Sequence, residues 1–244
     1  MQNIIYTEFL PSILPQETLR RYQLDNFESS YKKKVSPVIL VEFSTAAFRM
    51  GHSLVSSLIE LYKNVENPEF YKSTPLDEHF FNSSMLRSDR TMGLLFHSLS
   101  NQKSHKIDQS ITDSIRNKLF KNELKSDFGL DLAALNIQVR PICVHIFSSI
   151  SLYYNWFHVI NFQRGRDHEM GSYNDARKYC GLRPLPETFS INERPSEFSF
   201  GTWNRFSRLY EHPDDIELFP AGLSEIPAEN GKLGPTFSCI IGKM

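Results

Sequence analysis

Apolar residues recur at helical spacing along most of this chain, and the alternation expected of strands is scarce outside residues 142–162. Near the start, Ile4, Ile5, Phe9 and Leu10 fall close to one helix face, with Pro11 marking a boundary. A short polar helix is expected around Glu17 to Tyr22. A longer one is expected from about Pro37 to Tyr62, with Ser44, Thr45, Ala46 and Ala47 as its packing residues. Residues 63–84 hold Pro68, Pro75 and Asn/Ser clusters and read as loop. Two helical patterns follow, at roughly 85–100 and 108–124. Leu86, Met92, Leu95 and Phe96 supply the first apolar face; Ile107, Ile111, Ile115 and Leu119 supply the second. The stretch from Gly171 to Cys180 reads helical, with Gly181 as its stop. The C-terminal third mixes short helices with loops rich in Pro, Asp and Gly, and no solenoid period is present. The fold class expected from the pattern is mainly α.

The balance of apolar and charged residues fits a folded core: 40% apolar and 13% aromatic over 244 residues. The net charge of -1 leaves no basic excess to neutralise phosphates, which argues against a nucleic-acid partner. The densest basic run, Lys32 to Lys34, reads as a solvated loop. Residues 141–163 contain no Asp, Glu, Lys or Arg, yet Asn155, Asn161, His145, His158 and several serines dilute the run, so a membrane span is not favoured. The N-terminus lacks the basic-then-apolar order of a signal peptide, and both ends read as cut from a longer domain. Cys143, Cys180 and Cys239 have no metal-site or redox-pair spacing; one disulfide with a spare thiol, or three thiols, are both open. The sequon Asn82-Ser83-Ser84 is compatible with secretion.

Chemistry first shows in FSTAAFRMGHSLVSSLIELY. On an α-helix, Phe48, His52, Val55 and Ile59 share a face, and Arg49 flanks His52 one turn away. A neutral imidazole can ligate haem iron, and a guanidinium one turn off can pair with a haem propionate. Ala46, Ala47, Gly51 and Ser53 are small enough to let a flat macrocycle approach. A single histidine on an apolar helix face is otherwise an ordinary core residue.

FRMGH resembles the proximal-histidine motif of the animal haem peroxidase family. Three further strings resemble that family in its order: DLAALNIQ at 131–138, RGRDHEMGSYNDARKYCGL at 164–182 and GLSEIPAENGKLGPTFSCIIG near the end. The resemblance implies a partial peroxidase domain over 1–244, helical and incomplete at the N-terminus. It implies haem b as cofactor, His52 as proximal iron ligand, and Arg49 and Arg164 as propionate partners. An Asn accepting the imidazole Nδ1–H would fix the tautomer that leaves Nε2 for iron. Asn136 and a second short copy, Asn161 before Arg164, are both candidates. Asp167 and His168 are read as structural, and Cys180 and Cys239 match family cysteines that pair, whereas Cys143 has no counterpart.

By the same resemblance, the complete protein would be an extracellular oxidoreductase reducing hydrogen peroxide with a halide, phenol or tyrosine. Calcium is possible in that complete protein, but the family's calcium loop and its distal histidine, glutamine and arginine have no match before His52. No catalytic residue of the distal side is therefore assigned, and the oligomeric state is open. The alternative is a non-catalytic haem-binding or interaction fragment. Nothing resembles a fatty-acid channel or a flavin or nicotinamide fingerprint.

The family runs Asn-x-Gln directly into Arg-x-Arg-Asp-His, but here residues 139–163 separate Gln138 from Arg164. A natural loop, a membrane anchor and a retained intron all account for this, and the last is favoured. A Val codon at Val139 begins with GT, and a Gln codon at Gln163 can be CAG. Spliced message lacking codons 139–163 is the expected result of reading the transcript; uniform inclusion of those codons would contradict it.

Overall fold

The computed structural model describes residues 4–25, 38–64, 66–67, 69–119 and 164–244. The predicted segments 26–37 and 120–163, with Lys32 to Lys34, Asn136, Cys143 and Asn161, lie outside the described residues. The chain divides into two compact units. One draws on Met1–Gly51, Ile107–Gln109 and Asn161–Met244, the other on His52–Lys106 and Ser110–Ile160.

The first unit is helical, as the apolar spacing predicts. A π-helical turn at Ile5–Phe9 runs into an α-helical turn at Leu10–Ile13. Pro11 does not end this helix; it sits in the first turn of the α segment, where the geometry changes from π to α. The polar helix spans Gln16–Arg21. The Tyr173–Tyr179 helix follows the expectation closely. Ser172 and Asp175 form a reciprocal capping box at its start, and Gly181, at φ +70°, ends it in a conformation that suits glycine. Ser199 caps the Phe200–Leu209 helix by accepting from the Thr202 N–H, and Pro235 opens the Pro235–Lys243 helix.

These helices close over one core. Tyr173, Phe198, Trp203, Phe219, Phe237 and Ile240 are fully buried there. Trp203 stacks near Phe198, and its indole N–H donates to the Ser190 carbonyl at 3.2 Å. Gly222 is required by packing, because a Cβ there would lie 2.2 Å from the Phe237 ring. Cys180 and Cys239 are bonded to each other, as the resemblance implied, across 59 positions. In the chain-entropy account a closure of that length contributes about 4 kcal/mol.

A polar network runs through the same core. Glu225 accepts from the Tyr173 hydroxyl at 2.7 Å, the Thr236 N–H at 2.9 Å and the Thr236 hydroxyl at 2.6 Å. Tyr173 in turn accepts from Arg177 Nη1 at 3.0 Å. Arg177, also buried, pairs with Glu197 at 2.9 Å and donates from Nε to the Arg183 carbonyl at 2.7 Å. Each of the three nitrogens of this buried arginine's fork therefore meets a hydrogen-bond acceptor.

The segment from residue 38 onward, which passes from the first unit into the second after Gly51, departs from the expectation. The helix predicted from Pro37 to Tyr62 is broken into an α turn at Val41–Thr45, a 3₁₀ helix at Ala47–Leu54 and a strand, β1, at Leu58–Tyr62. Part of the segment read as loop is strand β2, Phe70–Pro75, antiparallel to β1 with Leu58 opposite Pro75 and Glu60 opposite Ser73. The cause is non-local. Gln102, just past the Asp89–Asn101 helix, accepts from the Glu60 N–H at 3.1 Å and donates to the Leu58 carbonyl at 2.7 Å, satisfying the strand's open edge. The Asp89–Asn101 helix lies within the predicted range, but Phe96 on it is exposed. Ile111 and Ile115 are buried as expected, against Val55 and Leu119. Among the described residues no helix is long and apolar enough to cross a membrane.

Burial pushes the Glu225 carboxyl up to about 7 from 4.5, although its three donors and Arg177 oppose the rise. The folded chain therefore holds a proton there that the unfolded chain has released. This contribution to stability is fully present below about pH 4.5 and is lost as pH rises through about 7. Glu225→Gln is expected to flatten the pH dependence of urea unfolding across that window by up to about 3 kcal/mol; an unchanged slope would contradict the assignment.

Candidate haem-binding site

The FRMGH string lies on the 3₁₀ helix Ala47–Leu54, with the division between units falling inside it after Gly51. In a 3₁₀ helix residues i and i+3 eclipse, so Arg49 and His52 stand one above the other on one side. The α-helical face drawn through Phe48, His52, Val55 and Ile59 is not formed: Phe48 is 66% exposed, His52 is half-buried, and Ile59 lies on β1. The small residues divide as well. Ala46, Ala47 and Ser53 turn into the protein at 0%, 0% and 1% exposure, so they do not front a macrocycle. Of these four, Gly51 has no atom of the described residues within 4 Å of where a Cβ would stand.

Two contacts fix the start of this helix. The Thr45 hydroxyl donates to the Val41 carbonyl at 2.5 Å and reaches the Met170 sulfur at 3.0 Å. Met170 belongs to the RGRDHEM string, whose chain folds back on itself: the Met170 N–H donates to the Gly165 carbonyl at 2.8 Å, and the His168 N–H to the Arg164 carbonyl at 3.0 Å. Gly165 is buried against Met170, whose Cε would lie 2.8 Å from an added Cβ. A larger residue at 165 would push Met170 away from Thr45, and with it the turn that carries Arg164.

The electrostatics of Arg49 are unusual. Its Nε is buried and has no hydrogen-bond partner among the described residues. Desolvation, and then the positive charge of Arg164, hold its pKa below the usual arginine value. No carboxylate offsets either effect among the described residues, in contrast to Arg177, whose charge is matched by Glu197 and whose Nη1 donates to the Tyr173 hydroxyl. Two guanidinium groups near each other with an orphaned, buried N–H form a locus that favours an anion with two acceptor groups. The two propionates of a haem meet that requirement, so the residues present fit the cofactor.

The other motif residues fall elsewhere. Asp167 and His168 are exposed. Arg166 pairs with Glu217, which also accepts from the half-buried Tyr210 hydroxyl; desolvation and that carboxylate push the Tyr210 pKa up. Nothing near Arg166 in sequence signals this partner. Asn136 and Asn161 lie outside the described residues. Among the described residues no group of three or more His, Cys, Asp or Glu is placed to hold a metal ion.

Relief of like-charge repulsion gives a direct expectation. In the haem-free chain Arg164→Gln should be neutral or slightly stabilising by thermal melting. A loss on the order of 3–5 kcal/mol, as when a buried ion pair is severed, would show that Arg164 already has an anionic partner.

The family model for animal haem peroxidase matches residues 1–140 and 157–244. The chain is 33% identical over 245 aligned residues to a chorion peroxidase of Drosophila melanogaster, covering 99% of this chain and 26% of that protein. It is 30% identical to peroxidase-like protein 3 of Lottia gigantea, covering 100% of this chain and 67% of that protein. Among solved structures, peroxidase A of Dictyostelium discoideum aligns over 99% of this chain and 39% of its own, with a TM-score of 0.69 and 27% identity. The chain thus spans about a quarter of the length of the chorion peroxidases it matches. With the family's motifs in order and its model matched over most of the sequence, the chain belongs to the animal haem peroxidase family.

Proposed function

We propose that this chain supplies the proximal, iron-ligating half of a haem b peroxidase that reduces hydrogen peroxide with a small donor such as a halide, phenol or tyrosine. The observation that carries the reading is the anion-seeking pair Arg49 and Arg164, with His52 one 3₁₀ turn from Arg49. Bound haem iron would supply the redox chemistry that delivers electrons from the donor to peroxide. The chain's own work is positional. His52 is the proposed iron ligand, through Nε2, its Nδ1 lying buried in the protein. Arg49 and Arg164 would hold the propionates. Asn136 or Asn161 is the proposed acceptor for the imidazole N–H, making the ligand more electron-rich.

Residues 139–163 are proposed to be an insertion, most simply a retained intron. The unmatched stretch 141–156 between the two family-matched segments supports this reading. The complete protein is proposed to be extracellular, which the Cys180–Cys239 disulfide supports. Turnover by this chain alone is expected to be low, because nothing before His52 resembles the distal base and cation that peroxide cleavage needs. A fragment that binds haem without turning over is the second reading, favoured by the same gap.

Titration of the chain with hemin, followed at the Soret band, tests the proposal. A saturable shift typical of histidine-ligated iron is expected, absent in His52→Ala. In Arg49→Gln it should be weakened about tenfold or more, in keeping with the roughly 1.5–3 kcal/mol carried by a hydrogen bond to a charged group. Identical spectra from the chain and His52→Ala would overturn the ligand assignment. Robust guaiacol-type turnover would overturn the expectation of low activity.

A further inference from the structure

We propose that Asn82 is an N-glycosylation site, occupied when the chain enters a secretory compartment. The inference rests on the extracellular reading above and adds a modified residue to it. Asn82-Ser83-Ser84 is the one Asn-x-Ser/Thr in the whole sequence. The structure puts it where a glycan can be both added and accommodated. Asn82, Ser83 and Ser84 are all exposed, on the segment that leads into the short 3₁₀ helix Ser83–Arg87.

The local geometry suits the transfer. The backbone at Asn82 is extended, at φ -120° and ψ 98°, and the side-chain Oδ1 accepts from the Ser84 N–H at 3.1 Å. That bond draws electron density toward Oδ1 and brings residue 84 back beside the amide. It spans only two residues, so it forms without the rest of the fold. Neither Asn82 Nδ2 nor the Ser84 hydroxyl has a hydrogen-bond partner among the described residues, so neither must be withdrawn from the protein.

In the reaction a bond forms between Asn82 Nδ2 and the anomeric carbon of a lipid-pyrophosphate-linked oligosaccharide. The carbon–oxygen bond to the pyrophosphate breaks, the pyrophosphate leaves with the electron pair, and the amide proton passes to a base of the transferase. Nothing is oxidised or reduced.

Two further observations point the same way. The Cys180–Cys239 bond marks an oxidising compartment independently of the sequon. Phe81, next to Asn82, is 65% exposed, and Leu86 is 47% exposed. A sugar on Asn82 would cover this apolar surface, with the ring of Phe81 offering a face for the sugar's C–H groups.

The test uses the full chain behind a cleavable secretion signal, translated in the presence of microsomes, with only protease-protected product scored. The expected result is a mobility shift removed by peptide N-glycosidase, with conversion of Asn82 to aspartate in the tryptic peptide. Asn82→Asp keeps the capping acceptor and should abolish the shift; Ser84→Ala should abolish it and Ser84→Thr should keep it. Protected chain without a shift overturns the proposal, as does a shift that persists in Asn82→Asp. Because the sugar is added during translocation, this outcome is independent of hemin binding, and failure of either leaves the other standing.

Discussion

Arg49 and Arg164 are brought near each other with no carboxylate between them among the described residues, and the candidate site depends on that repulsion being borne by the scaffold. Like charges in a partly desolvated place do not gather unless other contacts hold their backbones. Here the contacts are the Thr45–Met170 bond, the folded-back turn from Arg164 to Met170, and the buried Ala46 and Ala47 that anchor the 3₁₀ helix. A dianionic ligand would offset that repulsion, and the proposed haem propionates are such a ligand.

The contrast with Arg177 gives the argument its weight. Both arginines lose solvent, yet the fold surrounds Arg177 with Glu197, Tyr173 and the Arg183 carbonyl, and extends the network to Glu225. That network and the Cys180–Cys239 bond tie the Tyr173–Tyr179 helix to the C-terminal helix, making the first unit's core a rigid base. The fold satisfies one buried guanidinium fully, while the part-buried Arg49 has a buried Nε with no partner among the described residues. That difference is what supports the proposal that Arg49 belongs to a binding locus and not to a structural ion pair.

What could be read from the chain beforehand follows the range of the forces involved. The Tyr173–Tyr179 helix was legible because its determinants are local: Ser172 with Asp175 at one end, Gly181 at the other. The break at Leu58–Tyr62 was not, because strand pairing with Phe70–Pro75 and the edge bonds from Gln102 act across the sequence. Arg49 and His52 were found through the motif, but their side-by-side placement depends on a 3₁₀ rather than an α geometry, which the apolar spacing does not distinguish. The Glu225 network and the Arg166–Glu217 pair had no sequence signal, since each joins residues far apart in the chain. The cysteine pairing came from resemblance alone, three cysteines being open to more than one arrangement.

The most direct test of the account compares hemin with its dimethyl ester, which keeps the iron and the ring but carries no propionate charge. The account predicts that the chain binds the ester about tenfold or more weakly than hemin, and that Arg49→Gln narrows that gap. Equal affinity of the unaltered chain for hemin and its ester would contradict it, showing that the two arginines do not hold the propionates.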